Sequence, residues 1–489
     1  MMVPERLLDE RITGSIYIGG WKSGGAGTLA VVEPATGLQI ATVGVAAAAD
    51  VRAACELAAE VQPAWAAASF QRRVEVLLRV AELLERWHDE LCEQGIRESG
   101  SVREKASREL HHAALECRQA AALCSEPYGA LTPMSDPAVL SMVRRVPVGV
   151  VGAITPWNAP VGLAYRTVAP ALALGNAVVL KPDPNTPVCG GIALARLFEQ
   201  AGLPPGVLSV VPGAGEAGDA ICRHPAVRVI SFTGSTETGR KVAATCVEHD
   251  VIPLLELGGN NVSIVLPDAD PEMAAILGAR GSFGHCGQIC MATGRHLVHE
   301  SLIDRYLEVL VLRARSLRVG DPFRAEVDLG PIINPRQHAR ITELVEDSIA
   351  YGAIRLAGER PTDERFFKPT VLTSITPQTP AWQQEVFGPV APVMAYKTLE
   401  EALALANGTA YGLVAAVHGR DAQAALEFAR GLKVAALHIN GGTVGDEAQI
   451  PFGGTKASGN QARFGGSGNW EAYTEAQWIA VHGRQPLGG

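Results

Sequence analysis

The segment "VGVVGAI", residues 148–154, is an unbroken apolar run that ends directly before "TPWNAP". Short apolar runs rich in valine are typical of a strand that is covered on both faces of a sheet. The uncharged stretch 148–165 is long enough to cross a bilayer, but Pro156, Asn158 and Pro160 would interrupt a membrane helix. Residues 148–154 therefore predict a buried strand that ends in a turn, and no membrane partner is expected.

Helical and strand patterns alternate after this segment. The helical "VGLAYRTVAPALALG", the strand "NAVVLKP", the helical "CGGIALARLFEQAG" and the strands "GVLSVVPG" and "VRVISFTG" follow in that order. Such alternation predicts parallel strands wrapped by helices, so residues from about 147 to about 250 are expected to form a doubly wound unit. New strands after residue 256, in "NVSIVL", "TGRHLVHE" and "AAVHG", predict a second α/β lobe.

Composition narrows the class of protein. The chain has 489 residues, 47% of them apolar and 19% charged, which is more than one hydrophobic core usually serves. Its net charge of −9 comes from interleaved acids and bases, which excludes a basic surface for nucleic acid. The N-terminal "MMVPERLLDERITG" lacks the apolar core of a signal peptide, and nine scattered cysteines do not resemble a disulfide framework. We therefore expect a cytoplasmic protein of two or three lobes.

The stretch "HCGQICMATGRHLVH", residues 285–299, concentrates two cysteines and three histidines. Zinc binding is disfavoured, because only five residues separate Cys290 from His296 and because His296 and His299 would point to opposite faces of a strand. A Cys–His hydrolytic dyad with His285 lacks an evident orienting acid. Two cysteines that only pack in a core are the third interpretation, and this stretch leaves all three open.

Two glycine-containing turns are candidates for binding a phosphate group. "GAGEAG", residues 213–218, matches the GxGxxG dinucleotide pattern, but the acid expected about twenty residues later would fall in another turn, and a helix-capping turn explains the match as well. In "FTGSTETG", Gly234 and Ser235 lie between a strand and a helix N-terminus, where free N–H groups suit a pyrophosphate and where an ordinary N-cap is also expected. The second turn is the better placed of the two.

Seven motifs occur in one order along the chain: "TPWNAP", "LKP", "FTGSTETG", "LELGGNN", "GQIC", "EVFGPV" and "PFGGTKASG". In this order and at these spacings, the sequence strongly resembles the aldehyde dehydrogenase superfamily over essentially its full length. The segments "KPDPNTPVCGG", "WNAP" and "RFGGSGNWEAYTEAQWI" are most similar to the bacterial benzaldehyde dehydrogenase branch. Any one motif could arise by chance, whereas seven in register leave little room for another family.

The resemblance implies an α/β fold of the aldehyde dehydrogenase type with three regions. These are a doubly wound NAD(P)-binding domain, an α/β catalytic domain and a β-strand oligomerisation arm, with the expected bounds 1–125 and 148–256, 257–465, and 126–147 and 466–489, respectively. The segment "AVLSMVRRVP", residues 138–147, is rich in strand-forming residues and is the candidate for the arm. As in relatives, such an arm implies a homodimer or homotetramer.

The resemblance also implies a covalent mechanism that uses Cys290, Glu256 and Asn158. A thiolate at Cys290 would add to the aldehyde carbonyl, and the Asn158 amide together with the Cys290 backbone N–H would hold the resulting oxyanion. Loss of hydride to the nicotinamide would leave a thioester on Cys290, which water activated by Glu256 would hydrolyse. No metal is required, and Cys286 and the three histidines of this stretch have no required part.

The cofactor implied by the resemblance is NAD. Many relatives carry, two residues after "KP", a glutamate that binds the ribose hydroxyls, and Pro184 stands there in this chain. Loss of that acid removes a barrier to the phosphate of NADP, so we expect NAD to be preferred and NADP to be accepted at a measurable fraction, with Asp183 as an alternative acid. The expected cofactor-binding residues are Thr155, Pro156, Trp157, Lys181, Gly234, Ser235, Gly239, Leu257, Glu385 and Phe387.

The substrate pocket is expected to include Ala159 and Leu163. Many relatives have phenylalanine after the oxyanion asparagine, and the alanine here opens space that a benzaldehyde-like ring would fill, unless another side chain refills it. An aliphatic aldehyde or semialdehyde substrate, a coenzyme A-acylating reaction and a catalytically silent relative are the alternatives. Retention of Asn158, Glu256 and Cys290 argues against the silent relative, and Glu256 favours water over coenzyme A.

Overall fold

Two seven-stranded sheets and one three-stranded sheet organise the protein, of which a computed structural model describes residues 6–359 and 363–482. Residues 1–5 and 483–489, at the ends of the predicted cofactor domain and arm, lie outside the described residues. The strand pairs Thr28–Val32 with Gln39–Gly44 and Tyr411–Gly412 with Thr455–Lys456 form two further small sheets.

The first large sheet is the doubly wound unit that the sequence predicts. All residues of Val150–Ile154 are buried, and the chain adds strands first on one side of this strand and then on the other. That reversal creates a switch point at its carboxyl end, where open α/β sheets bind ligands. The spatial order of the strands is Ile252–Glu256, Val227–Thr233, Val150–Ile154, Ala177–Lys181, Leu208–Val210, Ser15–Ile18 and Trp21–Ser23. The first five strands are parallel, and each of the last two is antiparallel to the strand before it.

Helices cover both faces of this sheet. Along the strand Ala177–Lys181, Val178 and Leu180 enter one hydrophobic core and Val179 enters another, as the alternation of side chains requires. The amphipathic helix Phe70–Arg86 packs its apolar side into the larger of these cores. The helices of this lobe are Ala48–Ala67, Phe70–Arg86, His88–Ser99, Arg103–Leu123, Pro160–Ala173, Ala193–Gln200, Gly215–Cys222 and Thr236–Glu248, with one-turn segments Glu10–Ile12 and Val188–Ile192.

The second large sheet forms the second α/β lobe, and it contains the three strands predicted after residue 256. All its neighbouring pairs are parallel except the first pair at one edge, in the order Ile354–Ala357, Thr370–Thr373, Val390–Tyr396, Thr293–His299, Asn261–Val265, Val414–His418 and Ala436–Ile439. Its helices are Pro271–Phe283, Ile303–Ser316, Pro335–Ala350, Pro380–Gln383, Leu399–Asn407 and Ala422–Ala429, with a 3₁₀ turn at Gly284–Gly287. This lobe has its own hydrophobic core.

The three-stranded sheet joins residues 129–147 to the end of the described chain. Thr474–Val481 pairs antiparallel with Leu140–Pro147 along its whole length, and Gly129–Leu131 lies on the other side. The helix Gly468–Tyr473 leads into the last strand. The strand predicted within residues 138–147 and its completion by the C-terminal tail are therefore confirmed.

The uncharged stretch 148–165 divides as the sequence predicts. It forms the strand Val150–Ile154, a loop and the start of the helix Pro160–Ala173, in which proline occupies the first helical position and needs no hydrogen-bond partner. In the described part of the chain, no helix is both long and apolar enough to cross a membrane.

Candidate active site

Asn158, Glu256 and Cys290 meet where the two lobes face each other. Asn158 lies in the loop after the strand Val150–Ile154, and Glu256 is the last residue of the neighbouring parallel strand Ile252–Glu256. Cys290 lies in the loop before Thr293–His299 of the second sheet. The side-chain amide of Asn158 donates to the carbonyl of Gln288, two residues before Cys290, at 2.9 Å. The structure therefore brings the three predicted catalytic residues into one cleft.

Glu256 is buried, with 6% of its surface exposed. Its Oε1 accepts a hydrogen bond from the Gly454 N–H at 3.1 Å, and a Cβ atom at Gly453 would lie only 2.6 Å from the same oxygen. Burial raises the pKa of Glu256 to about 8, although Arg166 and Arg463 lower it in part. A carboxyl group with this pKa can accept and release protons near neutral pH.

Cys290 presents its thiol beside two carboxylates. Burial, together with the charges of Glu256 and Glu385, raises the pKa of the thiol to about 12. The backbone carbonyl of Cys290 accepts a hydrogen bond from the amide of Asn261 at 2.8 Å, which fixes this loop against the second sheet. Because the thiol holds its proton so strongly, forming the thiolate needs a proton acceptor within reach.

A half-buried ion pair holds the backbone of Asn158. Lys105 Nζ donates to the Asn158 carbonyl at 2.7 Å and to Glu109 Oε2 at 2.6 Å. Glu109 Oε1 accepts the backbone N–H groups of Val161 and Gly162 at 2.7 and 2.9 Å, at the start of the helix Pro160–Ala173. The sequence analysis missed this pair, because a lysine and a glutamate four residues apart on a helix are usually a surface ion pair.

The other thiol and the strand histidine of the "HCGQICMATGRHLVH" stretch have partners of their own. Cys286 Sγ contacts the carbonyl of Gly330 at 3.1 Å, and burial raises its pKa to about 12. His296 lies between Ser282 Oγ at 2.8 Å and Tyr306 OH at 2.7 Å, and burial lowers its pKa to about 3. The neutral imidazole of His296 has a hydrogen-bond partner at each ring nitrogen, as expected for a side chain that packs in the core.

The turn before Cys290 is strained. His285 and Cys286 have φ values of 47° and 55°, which residues with a Cβ atom seldom adopt. Burial and the charge of Lys105 hold the pKa of His285 well below its ordinary value, so the ring is neutral. His299, at the end of the strand Thr293–His299, bonds to Ser301 Oγ at 2.8 Å.

The residues directly after Val150–Ile154 line the switch point of the first sheet. Thr155 is buried, its N–H donates to the Lys181 carbonyl at 3.2 Å, and its Oγ1 has no hydrogen-bond partner among the described residues. Pro156 and Trp157 are half-buried. The ring of Trp157 meets that of Phe387 edge to face, with centroids 5.4 Å apart.

Lys181 ends the neighbouring strand and points across the switch point. Its Nζ donates to the carbonyls of Pro182 at 3.0 Å and Gly213 at 3.1 Å, and burial lowers its pKa. Gly213 belongs to "GAGEAG", and the helix Gly215–Cys222 begins within that motif. Asp183 Oδ1 accepts the backbone N–H of Asn185 at 2.8 Å, so this carboxylate is used in its own turn.

The "FTGSTETG" turn begins the helix Thr236–Glu248. The Gly234 N–H donates to the Glu256 carbonyl at 3.0 Å, and Ser235 is exposed and caps the helix by accepting the Thr238 N–H at 3.2 Å. Gly239 lies one turn further on, where a Cβ atom would approach Leu257 Cδ2 to 2.3 Å. The helix therefore presents its N-terminus next to the strand that ends in Glu256.

Glu385 reaches the same cleft from the second lobe. Its Oε1 accepts the Gly259 N–H at 2.8 Å, and a Cβ atom at Gly258 would lie 2.2 Å from Oε2. Burial raises its pKa to about 7. Glycine is thus required in the loop after Glu256 for this carboxylate to approach.

The predicted pocket residues share one face of the helix Pro160–Ala173. Ala159 immediately precedes the helix, and the Leu163 N–H donates to its carbonyl at 3.0 Å. Both residues are half-buried. Arg166 continues this face three residues after Leu163, within the segment that the sequence analysis predicts as helical.

These features fit a bound dinucleotide. The unpartnered Thr155 Oγ1 provides a buried polar atom at the switch point, and the capped N-terminus of Thr236–Glu248 provides a partial positive charge for a pyrophosphate. A doubly wound sheet that faces a second α/β lobe across a cleft with a thiol and two buried carboxylates is the arrangement of a nicotinamide-dependent dehydrogenase.

Comparison with known proteins identifies the family. The model of the aldehyde dehydrogenase family matches residues 21–479, so the chain belongs to this family. It is 51% identical to a vanillin dehydrogenase of Amycolatopsis sp., over 97% of this chain and 98% of that protein. It is 44% identical to the NAD-dependent benzaldehyde dehydrogenase of Pseudomonas putida, with 96% of each chain covered.

Solved structures agree with the fold. Betaine aldehyde dehydrogenase from Staphylococcus aureus, in complex with NAD+, superposes with a TM-score of 0.94 at 31% identity, over 98% of this chain and 96% of that chain. An NADP-dependent enzyme from E. coli gives a TM-score of 0.93 at 33% identity, over 96% of this chain and 98% of that chain. The chain is an enzyme of the aldehyde dehydrogenase family.

Proposed function

We propose that this enzyme oxidises an aromatic aldehyde of the benzaldehyde type to the carboxylic acid through a thioester on Cys290. The observation that carries the proposal is the shared cleft of the Cys290 thiol, the Glu256 carboxyl and the Asn158 amide. The aromatic substrate is supported by Ala159 at the pocket wall and by the vanillin and benzaldehyde dehydrogenases among the relatives.

In the first step Cys290 Sγ forms a bond to the carbonyl carbon, and the carbonyl π electrons move to oxygen. The thiol proton is released to water, so that Glu256, with a pKa of about 8, remains available for the second half of the reaction. One N–H of the Asn158 amide is bonded to Gln288, which fixes the amide so that its second N–H can meet the oxyanion. Such a donor is typically worth about 3 kcal/mol in the transition state.

In the second half of the reaction the thioester is hydrolysed. NAD, when bound, would supply the hydride acceptor for this oxidation, and loss of hydride from the thiohemiacetal carbon would leave the acyl group on Cys290. Glu256 then takes a proton from water as the water oxygen attacks the acyl carbon. The carbon–sulfur bond breaks, the acid is released, and Glu256 returns its proton to the sulfur, which restores the thiol.

The cofactor site would combine elements of both lobes. Thr155, Pro156 and Trp157 would line the switch point and Lys181 would bind the adenosine ribose, while Glu385 and Phe387 would hold the nicotinamide ribose from the other lobe. Gly234, Ser235, Gly239 and Leu257 would shape the pyrophosphate region. We propose that NADP is also accepted, because Pro184 supplies no charge that would repel its phosphate.

The remaining organisation is proposed on the same basis. Residues 1–125 and 148–256 would form the cofactor domain, 257–465 the catalytic domain, and 126–147 with 466–489 the oligomerisation arm. Trp478 and Leu131 of the three-stranded sheet are 62% and 72% exposed, which supports burial against a second copy in a homodimer or homotetramer. A cytoplasmic location is proposed from the sequence.

Product analysis tests the proposed function. The full-length chain, incubated with benzaldehyde and NAD without coenzyme A, should form benzoate and NADH in equal amounts. Strict dependence on coenzyme A would identify an acyl-transferring enzyme instead. Oxidation of hexanal with no oxidation of benzaldehyde would refute the aromatic assignment, and no product from either would identify a silent relative.

A further inference from the structure

Arg166 places a buried positive charge at the wall of the predicted substrate pocket. Ala159, Leu163 and Arg166 follow one another at helical spacing, so their side chains lie on one face. The Arg166 guanidinium lies 5.2 Å from the ring centroid of Phe452. Phe452 and Cys290 pack against the same hydrophobic cluster of Met291, Leu413 and Val414. The charge of Arg166 is therefore close to the reacting thiol.

Two acids hold Arg166 from opposite sides. Behind it, Glu116 on the helix Arg103–Leu123 is 2% exposed, and its Oε1 accepts from Arg166 Nε at 3.5 Å and contacts His112 Nε2 at 3.2 Å. In front of it, Asp446 Oδ2 accepts from a terminal nitrogen of Arg166. Arg166 is only 8% exposed, whereas the side chain of Asp446 is 21% exposed. The side chain of His112 is exposed to the same extent, so Asp446 and His112 are the two partners of Arg166 that reach solvent.

Two of the three nitrogens of the guanidinium, Nε and Nη2, are already engaged. Its nitrogens contact Glu116, Asp446 and, at 3.4 Å, His112 Nε2, and its face lies over Phe452. Asp446 keeps an acceptor, because its bond to Arg166 uses Oδ2 and leaves Oδ1 without a partner among the described residues. A carboxylate oxygen fixed by an arginine accepts a hydroxyl hydrogen bond well and accepts nothing from an ether or a hydrocarbon.

We infer that Asp446, fixed by Arg166, accepts a hydrogen bond from a hydroxyl group on the substrate ring, so that the enzyme prefers hydroxylated benzaldehydes. This inference rests on the proposed oxidation of aromatic aldehydes and names the ring substituent that the pocket selects. Apolar contacts with Ala159, Leu163 and Phe452 accommodate the ring, and the Asp446 carboxylate distinguishes a hydroxyl from a methoxy group or a hydrogen.

The test compares substrates that differ only in this donor. Catalytic efficiency is measured for 3- and 4-hydroxybenzaldehyde and for the matching methoxybenzaldehydes, at a pH where the phenols stay protonated. The natural enzyme should favour at least one hydroxyl isomer over its methoxy partner by about tenfold or more. Asp446→Ala should reduce that ratio to about one; taking the ratio between enzymes cancels the intrinsic reactivity of each aldehyde.

Asp328→Ala is the matched control, because Asp328 also pairs with an arginine, Arg318, but on the surface of the second lobe. It should leave the ratio unchanged. If Asp446→Ala does not fold, Asp446→Asn keeps the volume and removes the charge, and the ratio should still fall by about threefold or more. No hydroxyl preference in the natural enzyme, or a preference that survives loss of Asp446, would overturn the inference. Failure to oxidise benzaldehyde while hexanal is oxidised would instead refute the proposed function.

Discussion

Lys105 donates a hydrogen bond from its ammonium group to the backbone carbonyl of Asn158 at 2.7 Å. The same lysine is paired with Glu109, which caps the helix that begins two residues after Asn158. The Asn158 amide is fixed at its other end by the Gln288 carbonyl. An oxyanion donor contributes most when it needs no reorganisation as charge develops, so this ion pair positions the proposed donor.

Glu109→Gln should therefore lower kcat by about tenfold, equivalent to about 1.4 kcal/mol, because a neutral amide binds Lys105 and the helix N-terminus more weakly. The KM for NAD should change little, since Glu109 touches no predicted cofactor residue. Steady-state kinetics give both values. Glu104→Gln is the control, because Glu104 is exposed and pairs with Arg108 on the same helix. An equal loss in both variants would contradict the positioning role.

Cys290→Ala should abolish aldehyde oxidation, with a loss of at least about a thousandfold in kcat, while NAD still binds. Cys286→Ala is a strict control, because burial raises the pKa of both thiols to about 12. Cys286 contacts Gly330 and no predicted catalytic residue, so its loss should leave most of the activity. Calorimetric titration with NAD checks binding. Substantial activity in Cys290→Ala would show that the nucleophile is misassigned.

Glu256→Gln should accumulate the thioester, because the amide cannot take a proton from water. Stopped-flow mixing with NAD and benzaldehyde should then give a burst of NADH close to the enzyme concentration, followed by a slow steady rate. In the natural enzyme the rate of thioester hydrolysis should rise with pH up to about 8, the pKa of Glu256. Loss of NAD affinity without a burst would argue against a role in hydrolysis.

The same residue should make stability depend on pH. Burial raises the pKa of Glu256 from 4.5 to about 8, so the folded state binds a proton that the unfolded state has released in this range. Glu256 therefore lowers the free energy of unfolding of the natural enzyme as the pH rises from 4.5 to about 8. A glutamine at this position does not titrate and makes no such contribution. The Tm of Glu256→Gln relative to the natural enzyme should increase across this window. Glu237→Gln, an exposed residue on a helix surface, should show no such trend.

The sequence predicted the parts of the site that depend on local pattern. The strand within residues 148–154 and the turn after it follow from an apolar run and two prolines. The order of the motifs indicated the family, and the family resemblance pointed to Glu256 and Cys290 as site residues. The Arg166–Asp446 pair joins residues 280 positions apart, and no periodicity connects them. The direction of the Asp183 side chain could not be predicted either, because it depends on a turn in which Asp183 Oδ1 accepts the backbone N–H of Asn185.

Pro184→Glu should strengthen the preference for NAD over NADP. The orientation of Asp183 toward its own turn leaves the ribose region without the acid that many relatives carry, so a new carboxylate should repel the NADP phosphate. The efficiency ratio of NAD to NADP should rise by about tenfold. Pro184→Gln, which has the same size without the charge, should leave the ratio near its natural value. A strong NADP preference in the natural enzyme would contradict this account.

Ala159→Phe should remove the preference for aromatic aldehydes. Ala159 has φ −138° and ψ 64°, so a phenylalanine meets no left-handed backbone, and its ring would enter the face shared with Leu163 and Arg166. The natural enzyme should oxidise benzaldehyde with at least about tenfold higher efficiency than acetaldehyde or hexanal, which is about 1.4 kcal/mol in transition-state binding. The added ring should reduce benzaldehyde efficiency most, because it occupies the space that the substrate ring needs.

Kinetics on a panel from acetaldehyde and hexanal to benzaldehyde and its hydroxylated forms measures this difference. Ala159→Gly, which keeps the space open, is the control and should retain the aromatic preference. Asp446 would still accept a hydrogen bond from a ring hydroxyl in Ala159→Phe. Activity toward hydroxylated rings that remains in this variant would therefore distinguish the contribution of Asp446 from that of Ala159. Equal efficiencies across the panel, or an aromatic preference unchanged by the phenylalanine, would show that another part of the wall shapes the pocket.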